Sequence, residues 1–360
     1  MAHRIKKEGD SAGELLGEKI QYVLRGDSTL RGHVFSETKV FLESDSSILF
    51  LPAYPEIGRT TIDGTHFVEI DGVNLPANQT EFASDPVFSF TSRTLHEFVT
   101  EKSDLKAISF SLAEVREGSL SLSRRFATVA AGSVLIPDAQ TDGDIEIIAE
   151  SIRILRDIDK TLVVRSAAPL AAILAGVRSK GYLSPPLMQG SFSTLLVAGS
   201  HTEGATKQLA KISARWGTSR PIDTSLALEN SALAAVATID DGINKLVNKS
   251  LAIVSTERIR LKEHNTLEHG EKVMKSIIAA VQGLSNYADI VVTKGGITSA
   301  EVARSGLGAT EAWVLGQILP GISVWRVVDR DERLLLLVIV PGSVGDSDTL
   351  IKVLEIVGID

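Results

Sequence analysis

The sequence alternates between short apolar runs rich in β-branched residues and longer segments in which apolar residues recur at helical spacing. This alternation predicts an α/β fold with mostly parallel sheets flanked by helices. In the first half, strands are expected at 20–24, 48–51, 107–110, 134–137 and 161–164. Helices are expected at 34–43, at 92–99 with Ser92 as the N-cap, and at 144–155. The stretch from Gly58 to Asp85 reads as a loop and hairpin over a site.

A second series of the same kind follows a turn-rich stretch from Gly181 to Ser191, which contains two adjacent prolines and has the composition of a linker. Strands are then expected at 194–198, 251–255, 290–293, 324–328 and 334–340, and helices near 203–215, 266–283, 298–306 and 346–356. A length of 360 residues suits two domains, at about 150 residues per domain. We therefore expect one domain at residues 1–188 and another at 189–360.

Composition narrows the possible partners and the location of the chain. The absence of cysteine excludes disulfides, cysteine nucleophiles and thiolate metal sites, and it fits a cytoplasmic protein. A net charge of -8 leaves no basic surplus for nucleic acid. The longest apolar run, Leu334 to Val340, is far shorter than the ~20 residues of a membrane span. We expect neither nucleic acid nor a membrane as partner, and a homodimer is compatible with a sequence that leaves the oligomeric state open.

Three glycine-bearing turns follow expected strands in the second half. They are Gly199-Ser200-His201-Thr202, Gly295-Gly296-Ile297-Thr298-Ser299 and Pro341-Gly342-Ser343. Ser200 with Glu203, and Thr298 with Glu301, have the spacing of a capping box, which predicts that both turns open helices. Helix N-termini at the carboxyl edge of a parallel sheet favour phosphate groups, so these turns indicate a nucleotide or phosphate site.

The first of these turns almost matches a phosphate-binding loop. Gly199 is followed after four residues by Gly204, and then by Ala205 and Thr206. Because Ala205 stands where such a loop has the lysine that reaches the phosphates, a Walker-type site is not expected. No G-x-G-x-x-G pattern opens a helix either, which disfavours a dinucleotide-dependent oxidoreductase.

The first half carries a denser polar segment directly after an expected strand. It reads Arg25-Gly26-Asp27-Ser28-Thr29-Leu30-Arg31-Gly32-His33. Guanidinium forks suit carboxylates or phosphates, and the Ser and Thr hydroxyls suit a sugar. A second turn, from Pro52 to Thr61, adds Arg59 and two threonines. A capped loop with an internal Asp–Arg ion pair is the alternative interpretation of the first segment.

Taken together, the segments resemble the four-carbon acid sugar kinases. The matching pieces are Arg25 to Gly32, Pro52 to Thr61, Glu81-Phe82-Ala83-Ser84-Asp85-Pro86, Pro137-Asp138-Ala139, Ala198-Gly199-Ser200-His201, Gly295 to Ser299, Gly316-Gln317 to Pro320-Gly321, and Pro341-Gly342-Ser343. They occur in the family's order and span nearly the whole chain. The resemblance implies ATP-dependent phosphorylation of a hydroxyl of threonate, erythronate or an oxo-tetronate, with Mg²⁺ accompanying ATP.

The resemblance also implies where each ligand binds. The N-terminal domain would bind the sugar acid, and the C-terminal domain would bind ATP. Asp27 would be the catalytic base or a metal contact, although an ion pair from Asp27 to Arg31 or Arg25 is an open alternative. The other implied sugar-acid residues are Ser28, Thr29, Arg31 and Arg59. The implied ATP-binding residues are Ser200, Gly295, Gly296, Ile297, Thr298, Ser299 and Gly342; no residue is assigned as a metal ligand.

One departure from the family concerns the N-terminus. Family members usually begin with a strand and an Asp-Asp-x-Thr-Gly-type loop that contributes to the sugar site, followed by further α/β structure. Nothing in Met1 to Gln21 resembles that loop, so the first domain is expected to be truncated relative to the family. The alternative to a kinase is therefore a catalytically inactive protein that retains the fold and binds a nucleotide or a sugar acid.

Overall fold

The computed structural model describes residues 1–188, 190–248, 251–258 and 266–359. It divides into two compact units, Met1–Arg178 and Ser179–Asp360. The described strands of the first unit form two sheets and those of the second form one, and each unit has its own hydrophobic core. The boundary expected from the sequence falls between residues 188 and 189, and residue 189 lies outside the described part. The predicted α/β class with two domains is confirmed.

The first unit is built on a parallel sheet. Its strands, in chain order, are β1 (Val23–Arg25), β2 (Ser47–Leu51), β3 (Arg59–Ile62), β4 (Thr65–Ile70), β5 (Val73–Pro76), β6 (Lys106–Phe110), β7 (Ser133–Pro137) and β8 (Leu162–Ser166). Five of them form the order β1-β8-β2-β7-β6, with every neighbouring pair parallel. Strands β3, β4 and β5 form a separate antiparallel sheet, which accords with the hairpin expected there.

Helices cover both faces of the parallel sheet. They are α1 (Ala2–Leu16), α2 (Val34–Thr38), α3 (Leu95–Lys102), α4 (Leu112–Arg116), α5 (Ser119–Ala127), α6 (Asp142–Asp157) and α7 (Ala168–Leu174), with 3₁₀ turns at Lys39–Phe41, Pro55–Ile57, Ala77–Gln79 and Glu81–Ser84. The central strands β2, β7 and β8 are buried along their whole length, and they are apolar except for polar residues at their ends. Such continuous apolar runs are typical of parallel strands covered on both faces.

Two helices show how the local sequence sets the boundaries. Helix α6 buries Ile145, Ile148 and other apolar residues on one face, and Thr141 forms a capping box with Asp144. The N-cap of α3 is Thr94, so the expectation of Ser92 was wrong. Thr94 has Glu97 three residues later to return the bond, whereas Ser92 has no acidic residue at that spacing.

The second unit contains a mixed sheet. Its strands are β9 (Thr194–Ala198), β10 (Leu251–Ser255), β11 (Ile290–Lys294), β12 (Ala312–Leu319), β13 (Ile322–Val328) and β14 (Leu334–Val340). The order is β10-β9-β11-β14-β13-β12; the first four strands are parallel, and β13 and β12 are antiparallel additions. Strands β9, β11 and β14 are therefore neighbours whose carboxyl ends lie side by side.

Helices of the second unit follow the expected pattern with two additions. They are α8 (Glu203–Trp216), α9 (Thr224–Glu229), α10 (Ser231–Val247), α11 (Leu267–Leu284), α12 (Gly296–Glu301) and α13 (Thr349–Ile356), with a 3₁₀ turn at Ser285–Tyr287 and a π-helix at Val302–Gly306. Helices α9 and α10 and strand β12 were not expected from the sequence. Within the described ranges, no helix combines the length and the apolar character needed to span a bilayer.

Candidate functional site

The Asp27 loop follows β1 at the carboxyl edge of the first sheet. Asp27 Oδ1 accepts a hydrogen bond from the backbone N–H of Thr29 at 2.9 Å, which closes a tight turn. Leu30 then adopts a left-handed conformation with φ 68°, and its side chain is 4% exposed. A non-glycine residue in this conformation costs on the order of 1 kcal/mol, so the buried packing of Leu30 must hold the loop in shape.

Arg31 lies at the centre of this loop. Its Nε donates to Asp27 Oδ2 at 3.0 Å and to Thr29 Oγ1 at 3.1 Å, and its Nη2 lies 2.9 Å from Asp27 Oδ2. Nη1 lies 3.6 Å from a second carboxylate, Asp85, and the guanidinium sits over the ring of Phe82. The internal ion pair that the sequence left open is therefore present. Arg31 and Asp27 still expose about a quarter of their side chains, so a ligand can reach both.

Arg59 reaches the same region from the start of β3. It is 2% exposed, and its Nη1 donates to the backbone oxygen of Glu69 at 2.9 Å. Burial lowers the pKa of Arg59 to about 10, while the negative charge of Asp27 acts in the opposite direction. The structure thus brings together the predicted sugar-acid residues Asp27, Ser28, Thr29, Arg31 and Arg59, although Ser28, Thr29 and Arg59 are mostly buried.

Sequence reasoning missed His66, which ties the β3–β4 hairpin to the Asp27 loop. Its Nε2 lies 2.8 Å from the carbonyl oxygen of Ser28, and its Nδ1 lies 3.0 Å from Thr61 Oγ1. Because a carbonyl can only accept, Nε2 carries the proton and Nδ1 accepts from the Thr61 hydroxyl. Full burial lowers the pKa of His66 to about 4, so the ring is neutral at pH 7. The only sequence signal for this role was a single histidine within a strand.

Asp138 secures the other end of the hairpin. Its carboxylate accepts from the backbone N–H groups of Asp63, at 2.8 Å, and Gly64, at 3.0 Å, and Ala139 pairs with Thr61. Burial raises the pKa of Asp138 even though these bonds act against the shift. The Pro137-Asp138-Ala139 segment therefore positions the hairpin that carries Arg59 and His66.

The three glycine turns of the second unit meet at one edge of its sheet. A Cβ on Gly342 would lie 3.1 Å from Ser200 Oγ, and a Cβ on Gly295 would lie 3.3 Å from Ser200 Cβ. Thr202 Oγ1 lies 3.3 Å from Ser200 Oγ and donates to the carbonyl of Gly342 at 3.4 Å. Ser200 is therefore the point at which all three turns touch, as the adjacency of β9, β11 and β14 requires.

Both expected capping boxes were wrong. Thr202 caps α8, because it directly precedes the first helical residue and its Oγ1 accepts from the N–H of Ala205 at 3.2 Å. Ser200 lies two residues earlier, in the turn itself. Helix α12 begins at Gly296, since Gly295 adopts φ 116° as its N-cap, which places Thr298 inside the helix instead of at its cap.

The remaining predicted ATP-binding residues differ in exposure. Ser299 is 3% exposed, and its hydroxyl donates to the carbonyl of Gly295 at 2.7 Å and pairs with Thr293 Oγ1 at 2.8 Å. Thr298 is also buried, whereas Ile297 is 78% exposed. Ser299 and Thr298 therefore shape the turn from within, while Ile297 stands in solvent beside it.

Lys294, the last residue of β11, has a structural role that the sequence did not predict. Its side chain is fully buried, and its Nζ donates to the carbonyl oxygens of Pro341 and Val344, both at 2.9 Å. These bonds fix the third turn against the second. The apolar run before Gly295 gave no indication that its lysine points inward.

The close packing of the turns makes Gly199 intolerant of a side chain. A Cβ at Gly199 would overlap Thr298 Oγ1, whereas a Cβ at Gly204 meets nothing within 4 Å. We expect Gly199→Ala to lower the free energy of unfolding by about 1–3 kcal/mol through overpacking. Gly204→Ala, in the first turn of α8, should be neutral or stabilise by up to about 1 kcal/mol. Urea unfolding of both variants measures the difference, and equal effects would contradict the packing described.

Comparison with known proteins finds a family match in each unit. A family described as "Sugar-binding N-terminal domain" matches residues 3–174, and one described as "Nucleotide-binding C-terminal domain" matches residues 195–350. The chain is 23% identical over 342 residues to D-threonate kinase of Salmonella typhimurium, covering 90% of this chain and 77% of that protein. It is 25% identical over 324 residues to 3-oxo-tetronate kinase of Methylobacterium radiotolerans, covering 85% and 73%.

A solved structure shows the same fold. The crystal structure of a protein from Salmonella typhimurium superposes with a TM-score of 0.65 at 19% identity, covering 92% of this chain and 80% of that one. The two family matches together take in the Asp27 cluster and the three glycine turns. The resemblance found in the sequence is confirmed, and the chain belongs to the four-carbon acid sugar kinase family.

Proposed function

We propose that this protein transfers a phosphoryl group from ATP to a hydroxyl of a four-carbon acid sugar of the threonate, erythronate or oxo-tetronate type. The observation that carries the proposal is that the sugar-binding match contains the Asp27–Arg31 cluster, while the nucleotide-binding match contains the three glycine turns. The kinase activities of the two named relatives support the same reaction class.

In the sugar-acid site, Arg31 and Arg59 bind the carboxylate of the substrate. Arg31 is accessible to the substrate. Arg59 is buried and contributes its positive charge from the interior side of the site. Asp27 accepts the proton of the attacking hydroxyl. Asp27 Oδ2 is engaged by both Nε and Nη2 of Arg31, whereas Oδ1 accepts a single hydrogen bond, from the N–H of Thr29, and can accept a further one. Phosphoryl transfer asks mainly for positioning and charge neutralisation, which such a set supplies.

In the nucleotide site, the turns around Ser200, Gly295 and Gly342 bring backbone close to the phosphate chain, and Thr202 opens α8 beside them. Among the described residues, no group of three or more His, Cys, Asp or Glu side chains is arranged to hold a metal ion. Mg²⁺ that accompanies ATP is usually held mainly by the nucleotide phosphates and by water. Bound there, Mg²⁺ would neutralise phosphate charge.

An assay of ADP release tests the proposal. The full chain is incubated with Mg-ATP and, in turn, with threonate, erythronate and 3-oxo-tetronate. We expect ADP production that depends on at least one of these acids. Binding of ATP without acid-dependent ADP production would instead support an inactive protein that binds a nucleotide or a sugar acid. The internal engagement of Asp27 with Arg31 is the observation that favours this second candidate.

Replacement of Arg31 tests whether the first domain binds the sugar acid and the second binds ATP. We expect Arg31→Ala to raise the Kd for the sugar acid by about 10- to 100-fold, since a charge-assisted pair with the carboxylate is lost. The Kd for ATP should stay unchanged. Arg25→Ala is the matched control, because Arg25 is the exposed guanidinium of the same segment. Calorimetric titration of both ligands into both variants gives the answer; weakened ATP binding in Arg31→Ala would contradict the assignment.

A further inference from the structure

The segment from Gly199 to Thr206 has the outline of a phosphate-binding loop but lacks its cation, since Ala205 stands where the lysine would be. A backbone cradle without a positive side chain leaves much of the charge of a triphosphate uncompensated. The side chain of Arg258 contacts this segment and brings a positive charge to it. It follows the carboxyl end of β10, which pairs with β9.

Two hydrogen-bonding groups of the loop hold Arg258 in place. Its Nη2 donates to the carbonyl oxygen of Ser200 at 2.6 Å and to Thr206 Oγ1 at 2.8 Å, and its Nε lies 3.3 Å from the same hydroxyl. These contacts join the first and last parts of the loop-like segment. The guanidinium is thus fixed next to Ser200, where the three glycine turns meet.

One donor group of Arg258 is left over. Its Nη1 is buried and, in the described part of the chain, has no hydrogen-bond partner. Burial also lowers the pKa of Arg258, and no carboxylate is paired with it in the described residues to offset this. A buried N–H without an acceptor is unfavourable, because it has lost its bond to water, and an anion would remove that cost.

We infer that Arg258 binds the phosphate chain of the nucleotide and provides the charge that the lysine provides in a phosphate-binding loop. This inference rests on the proposed function, because it assumes that the second unit binds ATP. Arg258 is held by Nη2 and Nε, and it offers Nη1 to a phosphate oxygen. A rigid guanidinium fork suits this arrangement, because one edge can be anchored while the other binds an oxyanion.

The test measures binding of three probes to the full chain by calorimetry: Mg-ATP, inorganic tripolyphosphate and adenosine. We expect Arg258→Gln to raise the Kd for Mg-ATP and tripolyphosphate by about 10- to 100-fold and to leave adenosine unchanged. Arg258→Lys keeps the charge without the fork and should fall in between. Arg330→Gln is the matched control, since Arg330 also donates to backbone carbonyls in this unit but lies at the opposite edge of the sheet.

The outcomes separate this inference from the proposed function. Unchanged affinities in Arg258→Gln, with ATP binding to the unsubstituted chain, would overturn the inference alone. Equal weakening of all three probes together with a lower melting temperature would also overturn it, because that pattern marks a structural role. If the unsubstituted chain binds neither ATP nor tripolyphosphate, the nucleotide site itself is wrong and the inference falls with it.

Discussion

Asp27→Asn is expected to lower kcat by about 10²- to 10⁴-fold, the usual contribution of a general base. Asparagine keeps the size of the side chain, and its Oδ1 can still accept from the N–H of Thr29. It cannot take up the proton of the sugar hydroxyl, because an amide is far less basic than a carboxylate. The KM for ATP should stay within a few-fold, since the three glycine turns of the proposed nucleotide site belong to the other unit. Steady-state kinetics with the best sugar-acid substrate measure both values.

A matched control distinguishes catalysis from the positioning of Arg31. Asp85 is the second carboxylate beside Arg31, with its Oδ2 3.6 Å from Arg31 Nη1. Asp85→Asn removes that negative charge and leaves Asp27 unchanged. If Asp27 served only to hold Arg31, both variants would raise the KM for the sugar acid and spare kcat. A kcat loss confined to Asp27→Asn supports the base; a pure KM effect in both would refute it.

Acidification from pH 6.5 to pH 4 is expected to destabilise the first unit by about 3 kcal/mol through His66 alone. In the unfolded chain this histidine binds a proton near its ordinary pKa of 6.5, whereas in the fold its pKa is about 4. Between these values the unfolded state holds more protons, so stability falls as the pH falls. Below pH 4 both states are protonated and the loss is complete.

Urea unfolding across this range measures the effect by difference. The variant His66→Gln should lose this part of the pH dependence, because its amide does not titrate. His96→Gln should keep it, since His96 is exposed on α3. Carboxylates contribute equally to all three proteins and cancel in the comparison. A slope unchanged by His66→Gln would show that the ring is not held neutral by burial.

The sequence predicted the elements that local pattern determines. Apolar runs such as β2 and β7 are found where expected, because a strand buried on both faces leaves no polar position within it. Helix starts were less predictable. Ser92 and Ser200 were expected to be N-caps, but the N-caps are Thr94 and Thr202, each of which lies directly before the first helical residue. Strand β12 was missed, because Gly316 and Gln317 interrupt its apolar residues, which are mostly exposed or half-buried and do not alternate strictly with polar ones.

The site was predictable in its residue types and less so in its contacts. The segment around Asp27 could be predicted as a binding site, because many polar side chains are concentrated there. His66, Lys294 and Arg258 gave no such signal, because their roles depend on partners that are tens of residues away in the chain, such as Ser28 or Pro341. Those pairings are fixed only when the sheets assemble.

The placement of β1 has a consequence for how the first unit opens. This strand has three residues and lies at the edge of its sheet, where β8 is its one strand partner among the described residues. Edge strands with few ladder bonds exchange their amide protons through local openings that cost much less than global unfolding. The bond from His66 to the carbonyl of Ser28 couples such an opening to the hairpin. The Asp27 loop and the hairpin should therefore behave as one cooperative exchange unit, separable from the core strands β2 and β7.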